Sequence, residues 1–160
     1  MGEATWQIAK ANPRTNYLGV EVHMPGVGKL MARLDEYELT NVRLIERDVF
    51  EVFYYMIKDS SLDGVHLFFP DPWPKKRHFK RRIVNERFLS DVHSKLKPGG
   101  YLHIATDWVP YAEWITEVFS NSNLFSGGRV DRPDWRPLTR FEGQGISKDN
   151  AVNDFRYLKA

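Results

Sequence analysis

The chain contains no cysteine. That removes disulfides, thiolate nucleophiles and cysteine-based metal sites in one step. It also lacks any apolar run of about 18 residues, the length a membrane-crossing helix needs. Its first residues show no basic-then-apolar leader pattern. Internal repeats and low-complexity tracts are absent, so a cytoplasmic protein without membrane association is expected. Net charge is only +2 at pH 7, which by itself points to no particular partner. The five histidines, at 23, 66, 78, 93 and 103, form no metal-ligand spacing, and no metal is expected. Neither a Ser-His-Asp set nor a Walker-type phosphate loop is present.

What is present is enough for one ordinary domain: 160 residues, 42% hydrophobic and 28% charged. Apolar runs alternate with helix-like segments. Residues 16–22 (NYLGVEV) read as a buried strand. Residues 26–37 read as a helix with Val27, Leu30, Met31 and Leu34 on one face. A short strand over 42–45 precedes a helix over 49–57, and a third strand over 65–69 is stopped by Pro70 and Pro72. A helix over 85–96 turns Phe88, Leu89, Val92 and Leu96 inward. Pro98-Gly99-Gly100 reads as a turn before a strand over 101–105, and a helix over 110–119 has proline in its first turn. Residues 125–160 read as irregular, with a last strand near 152–158. This alternation implies α/β architecture, a mainly parallel sheet with helices on both faces.

In such sheets ligands lie beyond the carboxyl ends of the strands. An acid stands at or just past each of four expected strand ends: Glu21, Asp48, Asp71 and Asp107. Singly, each reads as a helix cap or a solvated loop acid, and Asp48 and Asp107 both suit N-caps. Four on the ligand-bearing edge favour a binding role. The sharpest segment is Phe68-Phe69-Pro70-Asp71-Pro72-Trp73, where two prolines stiffen the backbone around Asp71 beside a large aromatic plane. A fixed carboxylate next to an aromatic face suits a purine, although a strand-ending turn with a core tryptophan reads the same way. The residues that follow shift the balance. From Lys75 to Arg82, six of eight are permanent cations, a block that attracts a polyanion. Thr106-Asp107-Trp108 repeats the acid-plus-aromatic scheme, and Arg136 and Arg140 bracket a C-terminal segment that could close on substrate.

Taken in order, Gly19-Val20-Glu21-Val22-His23, Pro25-Gly26-Val27-Gly28, the Phe-Phe-Pro-Asp-Pro-Trp turn with its Lys-Lys-Arg-His-Phe-Lys-Arg-Arg-Ile tail, Ala105-Thr106-Asp107-Trp108 and Thr139-Arg140-Phe141-Glu142 closely resemble the bacterial tRNA (guanine-N7)-methyltransferases. The resemblance runs from about residue 2 to the end. It implies a Rossmann-like class I methyltransferase domain over residues 1–160, S-adenosyl-L-methionine as cofactor, and guanine 46 in the variable loop of tRNA as the methyl acceptor, in a monomer or homodimer. By the same resemblance Gly2, Glu21, Asp48 and Asp71 bind the cofactor, Asp71 being also the catalytic candidate. Lys75, Asp107, Thr139, Arg140, Phe141 and Glu142 bind substrate, and Arg77, His78, Phe79, Lys80, Arg81 and Arg82 contact tRNA. Trp73 favours the bacterial branch. In the family a strand and further glycines precede the residue matching Gly2, so the expected cofactor cradle is incomplete at its start. A tRNA-binding remnant or a fragment of that enzyme is the alternative implied. A dinucleotide-dependent oxidoreductase, or a methyltransferase acting on DNA or protein, fits the strand-end acids too, but not the basic block and the order of motifs.

Overall fold

The computed structural model describes residues 3–22, 24–138 and 151–160. The chain divides into two compact units. The first comprises residues 1–56 and 134–137, the second residues 57–133 and 138–160.

The first unit contains α1 (Glu3–Ala11), β1 (Tyr17–Val20), α2 (Met24–Glu36), β2 (Val42–Ile45) and α3 (Val49–Met56). Helix α1 was not expected from the sequence. Its alanines are strong helix formers, and Glu3 in the first turn accepts from Trp6 Nε1 at 3.1 Å and Gln7 Nε2 at 3.2 Å. Trp6 stacks on Tyr37, with centroids 4.8 Å apart. The Asn41 amide reaches the carbonyls of Ala9, Asn12 and Thr15 at 3.1, 3.0 and 2.9 Å. One side chain thereby ties the end of α1 to the start of β2. Strands β1 and β2 pair in parallel, Tyr17 with Val42 through Val20 with Ile45. The strand expected over 16–22 is shorter and less buried than its apolar run implies, and Leu18 is 39% exposed. Its sheet has two strands, so burial on both flanks is not supplied there. On α2, Leu30 is buried but Met31 is exposed, which narrows the expected apolar face.

The second unit is built on the strand order β3-β4-β6-β5. These are β3 (Leu62–Phe68), α4 (Glu86–Lys95), β4 (Leu96–Thr106), α5 (Val109–Ser120), β5 (Phe125–Val130) and β6 (Asn153–Lys159), with a short 3-10 helix at Lys76–Arg81. β3 and β4 are parallel, whereas β6 runs antiparallel to both β4 and β5. Helix α4 starts where Asn85 caps it, its side chain accepting from Phe88 N at 2.9 Å. Phe88, Leu89 and Val92 bury its inner face, as expected. Leu96 is also buried but already opens β4. The expected Pro-Gly-Gly turn is absorbed into that strand as an irregularity. Leu62 faces Leu96 but Gly64 faces Tyr101, and Gly99 takes φ +78° to accommodate the mismatch. β4 is one of the two inner strands, with Leu102, His103, Ile104 and Ala105 fully buried.

Strand β5 was not anticipated within 125–160. Its sequence, FSGGRV, lacks β-branched density, and pairing with β6 supplies what local propensity does not. Gly127, at φ +125°, lies against the Arg156 backbone, where a side chain would clash. Phe119 of α5 stacks on Tyr157 at 3.6 Å and meets Phe125 edge-on at 5.6 Å.

Candidate active site

The parallel pairing of β3 with β4 decides which expected residues meet. Phe68 is in register with Ala105, and Phe69 N–H donates to the Ala105 carbonyl at 2.8 Å. Asp71 therefore leaves β3 beside the end of β4, where Asp107 emerges. The two acids stand at adjacent carboxyl ends within one unit. Asp71 is exposed and Asp107 half-buried. Asp107 is not a helix cap: the α5 cap position is Trp108, which makes no side-chain cap bond. Instead Thr106, itself buried, accepts the Trp108 N–H on its hydroxyl at 3.3 Å.

In the first unit, β1–β2 pairing brings Glu21 and Asp48 to neighbouring strand ends in the same way. Glu21 N–H donates to Ile45 O at 3.0 Å. The Glu21 carboxylate accepts the Val22 N–H at 3.0 Å. Asp48 does cap α3, its Oδ1 accepting from Phe50 N at 2.8 Å, so the capping reading holds for Asp48 and one oxygen is committed to it. Acceptor-only groups at strand ends match the hydroxyl and amine donors of an adenosine, so this acceptor set fits the cofactor that the resemblance implies. Gly2 and the segment Thr139, Arg140, Phe141 and Glu142 lie outside the described residues.

The turn carrying Asp71 is unusual. Phe69 and Trp73 both adopt left-handed backbone, φ +52° and +43°, a conformation that non-glycine residues hold only when their surroundings enforce it. Prolines at 70, 72 and 74 remove three backbone donors. Lys75 then precedes the 3-10 helix, and its carbonyl accepts from His78 N at 2.8 Å. Lys75, Lys76, Arg77, Lys80 and Arg81 are exposed. The Arg81 guanidinium stands over the Trp73 ring at 5.0 Å, and His78 meets the same ring edge-on at 5.6 Å.

Two expected tRNA contacts do not point that way. Arg82 is 3% exposed, its Nε donating to Pro72 O at 2.8 Å, so it does not reach a phosphate. Phe79 is half-buried beneath it, 5.6 Å from Trp114. Phe79 and Arg82, three apart and so on one side of the 3-10 turn, face inward, while 76, 77, 80 and 81 stay out.

The sequence reading missed Tyr111 and Trp114. Tyr111 OH accepts from Val84 N at 3.3 Å, and Trp114 Nε1 donates to Val84 O at 2.7 Å. Burial pushes the Tyr111 phenol up to about 12, against the lowering effects of the Val84 hydrogen bond and the Arg82 charge. Aromatics at 108, 111 and 114, three apart from the N-cap into the first turns of α5, were the available signal.

The chain has the fold of a class I S-adenosylmethionine-dependent methyltransferase. A family model described as "Putative methyltransferase" matches residues 1–155, and the solved precorrin-6y C5,15-methyltransferase of Geobacter metallireducens superposes with a TM-score of 0.67. That pair shares 14% identity over 98% of this chain and 73% of the other, a likeness of fold. Sequence relatives are nearer. The tRNA (guanine-N(7)-)-methyltransferase of Chromobacterium violaceum is 54% identical over 96% of this chain and 70% of its own length. That of Methylobacillus flagellatus is 48% identical over 99% of this chain and 68% of its own. The chain belongs to the tRNA (guanine-N7)-methyltransferase family.

Proposed function

We propose that this chain transfers a methyl group from S-adenosyl-L-methionine to N7 of a guanine in tRNA, the guanine at position 46. Bound S-adenosylmethionine supplies an electrophilic methyl on a sulfonium. Guanine N7 offers an in-plane lone pair with no proton to lose, so the protein needs no strong base at the nucleophile. What its residues must do is align and shield. The observation that carries the reading is the Asp71–Asp107 pair of adjacent strand ends, flanked by five exposed cations at 75, 76, 77, 80 and 81.

Glu21 and Asp48 hold the nucleoside part of the cofactor by accepting its donors. Methyl transfer leaves positive charge on the purine, and a fixed carboxylate lowers the energy of that state. Asp71 is the first group for this role and Asp107 the second. Lys75, Arg77, His78, Lys80 and Arg81 bind the tRNA backbone, and Thr139, Arg140, Phe141 and Glu142 complete the substrate site.

The decisive experiment is Asp71→Asn, which keeps the side-chain shape and removes the charge. We expect methyl transfer to fall roughly 100-fold or more, with the tRNA-binding constant nearly unchanged. Wild-type turnover and cofactor binding in that variant would exclude the assignment. Calorimetric titration of this chain with S-adenosylmethionine and its demethylated product tests the cofactor half. Binding is expected, and Glu21→Gln is expected to weaken it about tenfold.

A further inference from the structure

The six cations of the basic stretch look alike in sequence, yet one of them is used differently. The Arg82 guanidinium is enclosed by aromatic rings, its centre 4.0 Å from the Phe79 centroid, 4.8 Å from Trp114, 5.5 Å from Tyr111 and 5.8 Å from Trp108. Burying a cation is costly unless donors and charge are answered. The ring faces answer the charge, and two carbonyls answer the donors: Pro72 O, 2.8 Å from Nε, and Trp73 O, 3.5 Å from Nη2. Among the described residues Arg82 is in none of the ion pairs.

Those carbonyls belong to the turn that presents Asp71 and Trp73. Three prolines leave that turn few backbone bonds of its own, and two of its residues hold left-handed φ. A further anchor is the Phe69 N–H, which donates to the Ala105 carbonyl. Arg82 is fixed in turn, because Val84 is gripped at both N–H and C=O by Tyr111 and Trp114 of α5. The path from α5 through Val84 and Arg82 to Pro72 and Trp73 is continuous.

We propose that Arg82 is a positioning residue, a latch that locks the Pro70–Pro74 turn onto α5 so that the Asp71 carboxylate and Trp73 ring are held for the methyl acceptor, and that it makes no contact with tRNA phosphate. This rests on the methyl-transfer reading above and adds a residue to it. Lysine cannot replace Arg82, because a single ammonium lacks the planar fork that spans two carbonyls while lying among ring faces.

The test compares Arg82→Lys and Arg82→Gln with Arg77→Gln, an exposed cation. It measures kcat, KM for tRNA at two salt concentrations, and hydrogen exchange of the Phe69 amide. For Arg82→Lys, kcat should fall roughly 10- to 100-fold. KM for tRNA and its salt dependence should be unchanged, and Phe69 exchange should speed up about tenfold or more. Arg77→Gln should do the reverse, raising KM and flattening its salt dependence. If Arg82→Lys behaves like Arg77→Gln, Arg82 is a phosphate ligand and the inference is wrong. Unaltered kcat or unaltered Phe69 exchange overturns it as well. Should both Arg82 variants fail to fold, Tyr111→Phe removes the acceptor of the Val84 N–H while keeping a ring face beside Arg82, and must show the same pattern in milder form. If it does not, the latch is rejected. An unsubstituted chain with no turnover would remove the methyl-transfer reading alone, leaving Phe69 exchange to decide the latch.

Discussion

Arg81 and Arg82 are consecutive, equally charged and oppositely used. One lies over Trp73 at the surface and the other is sealed among aromatic rings. The histidines divide in a similar way. His103 is fully buried in β4, its Nε2 2.7 Å from the Asp154 carboxylate. His66, across the sheet, has its Nε2 2.8 Å from the Tyr101 hydroxyl. Burial, followed by the charges of His103 and Arg156, holds the His66 imidazole down at about 4. Its folded pKa thus lies below the ordinary 6.5 of an unfolded histidine. The unfolded chain therefore binds the extra proton between these values, so stability is fully present above pH 6.5 and is lost as pH falls towards 4. The expected loss is on the order of 1–3 kcal/mol. Urea unfolding from pH 7 to 4.5 should show it, and His66→Gln should flatten that part of the profile. An equally steep profile in the variant would mean that other groups control the acid limb.

At the scale of elements, the parallel register of β3 and β4 delivers Asp71 and Asp107 to the same end. That register depends on a glycine. The Tyr101 ring lies directly over Gly64, where a methyl group would overlap ring carbons, and Arg156 stands 4.2 Å above the same ring. Gly64→Ala must push Tyr101 aside and break its bond to His66. We expect about 1–3 kcal/mol of destabilisation, the usual cost of overpacking, read as a lower urea midpoint at unchanged slope. Much of this level was legible beforehand. The strand over 42–45, the inner face of α4 and the proline start of α5 all follow from apolar spacing and capping chemistry. Helix α1 and strand β5 were not read beforehand, and both lean on partners distant in sequence. α1 is held by Asn41 from 29 to 32 residues away, and β5 by pairing with β6.

For the whole molecule, the two units differ in how much support their sheets receive. β4 is paired on both sides and its middle is sealed from water, whereas β1 and β2 form a two-stranded sheet with Leu18 partly exposed. Two-stranded sheets are marginal by themselves, and exchange protection follows buried, doubly paired backbone. Amides of β4 and β6 should therefore be the slowest to exchange and those of β1 and β2 faster by orders of magnitude. Mass-spectrometric exchange over hours reads this directly, and uniform protection across both sheets would contradict it. Among the described residues no helix is long and apolar enough to cross a membrane.

The sequence by itself determined the α/β class, the acids at the strand ends and the family, because apolar periodicity, proline-bracketed turns and motif order are written locally along the chain. Only the tertiary structure decided which acids share an edge and which cations stay outside. Strand register sets the first. The second depends on aromatic side chains from α5, more than 25 residues downstream, closing around one cation out of six. Such contacts between distant segments leave no period in the sequence, and they turn a basic run into a surface with one buried latch.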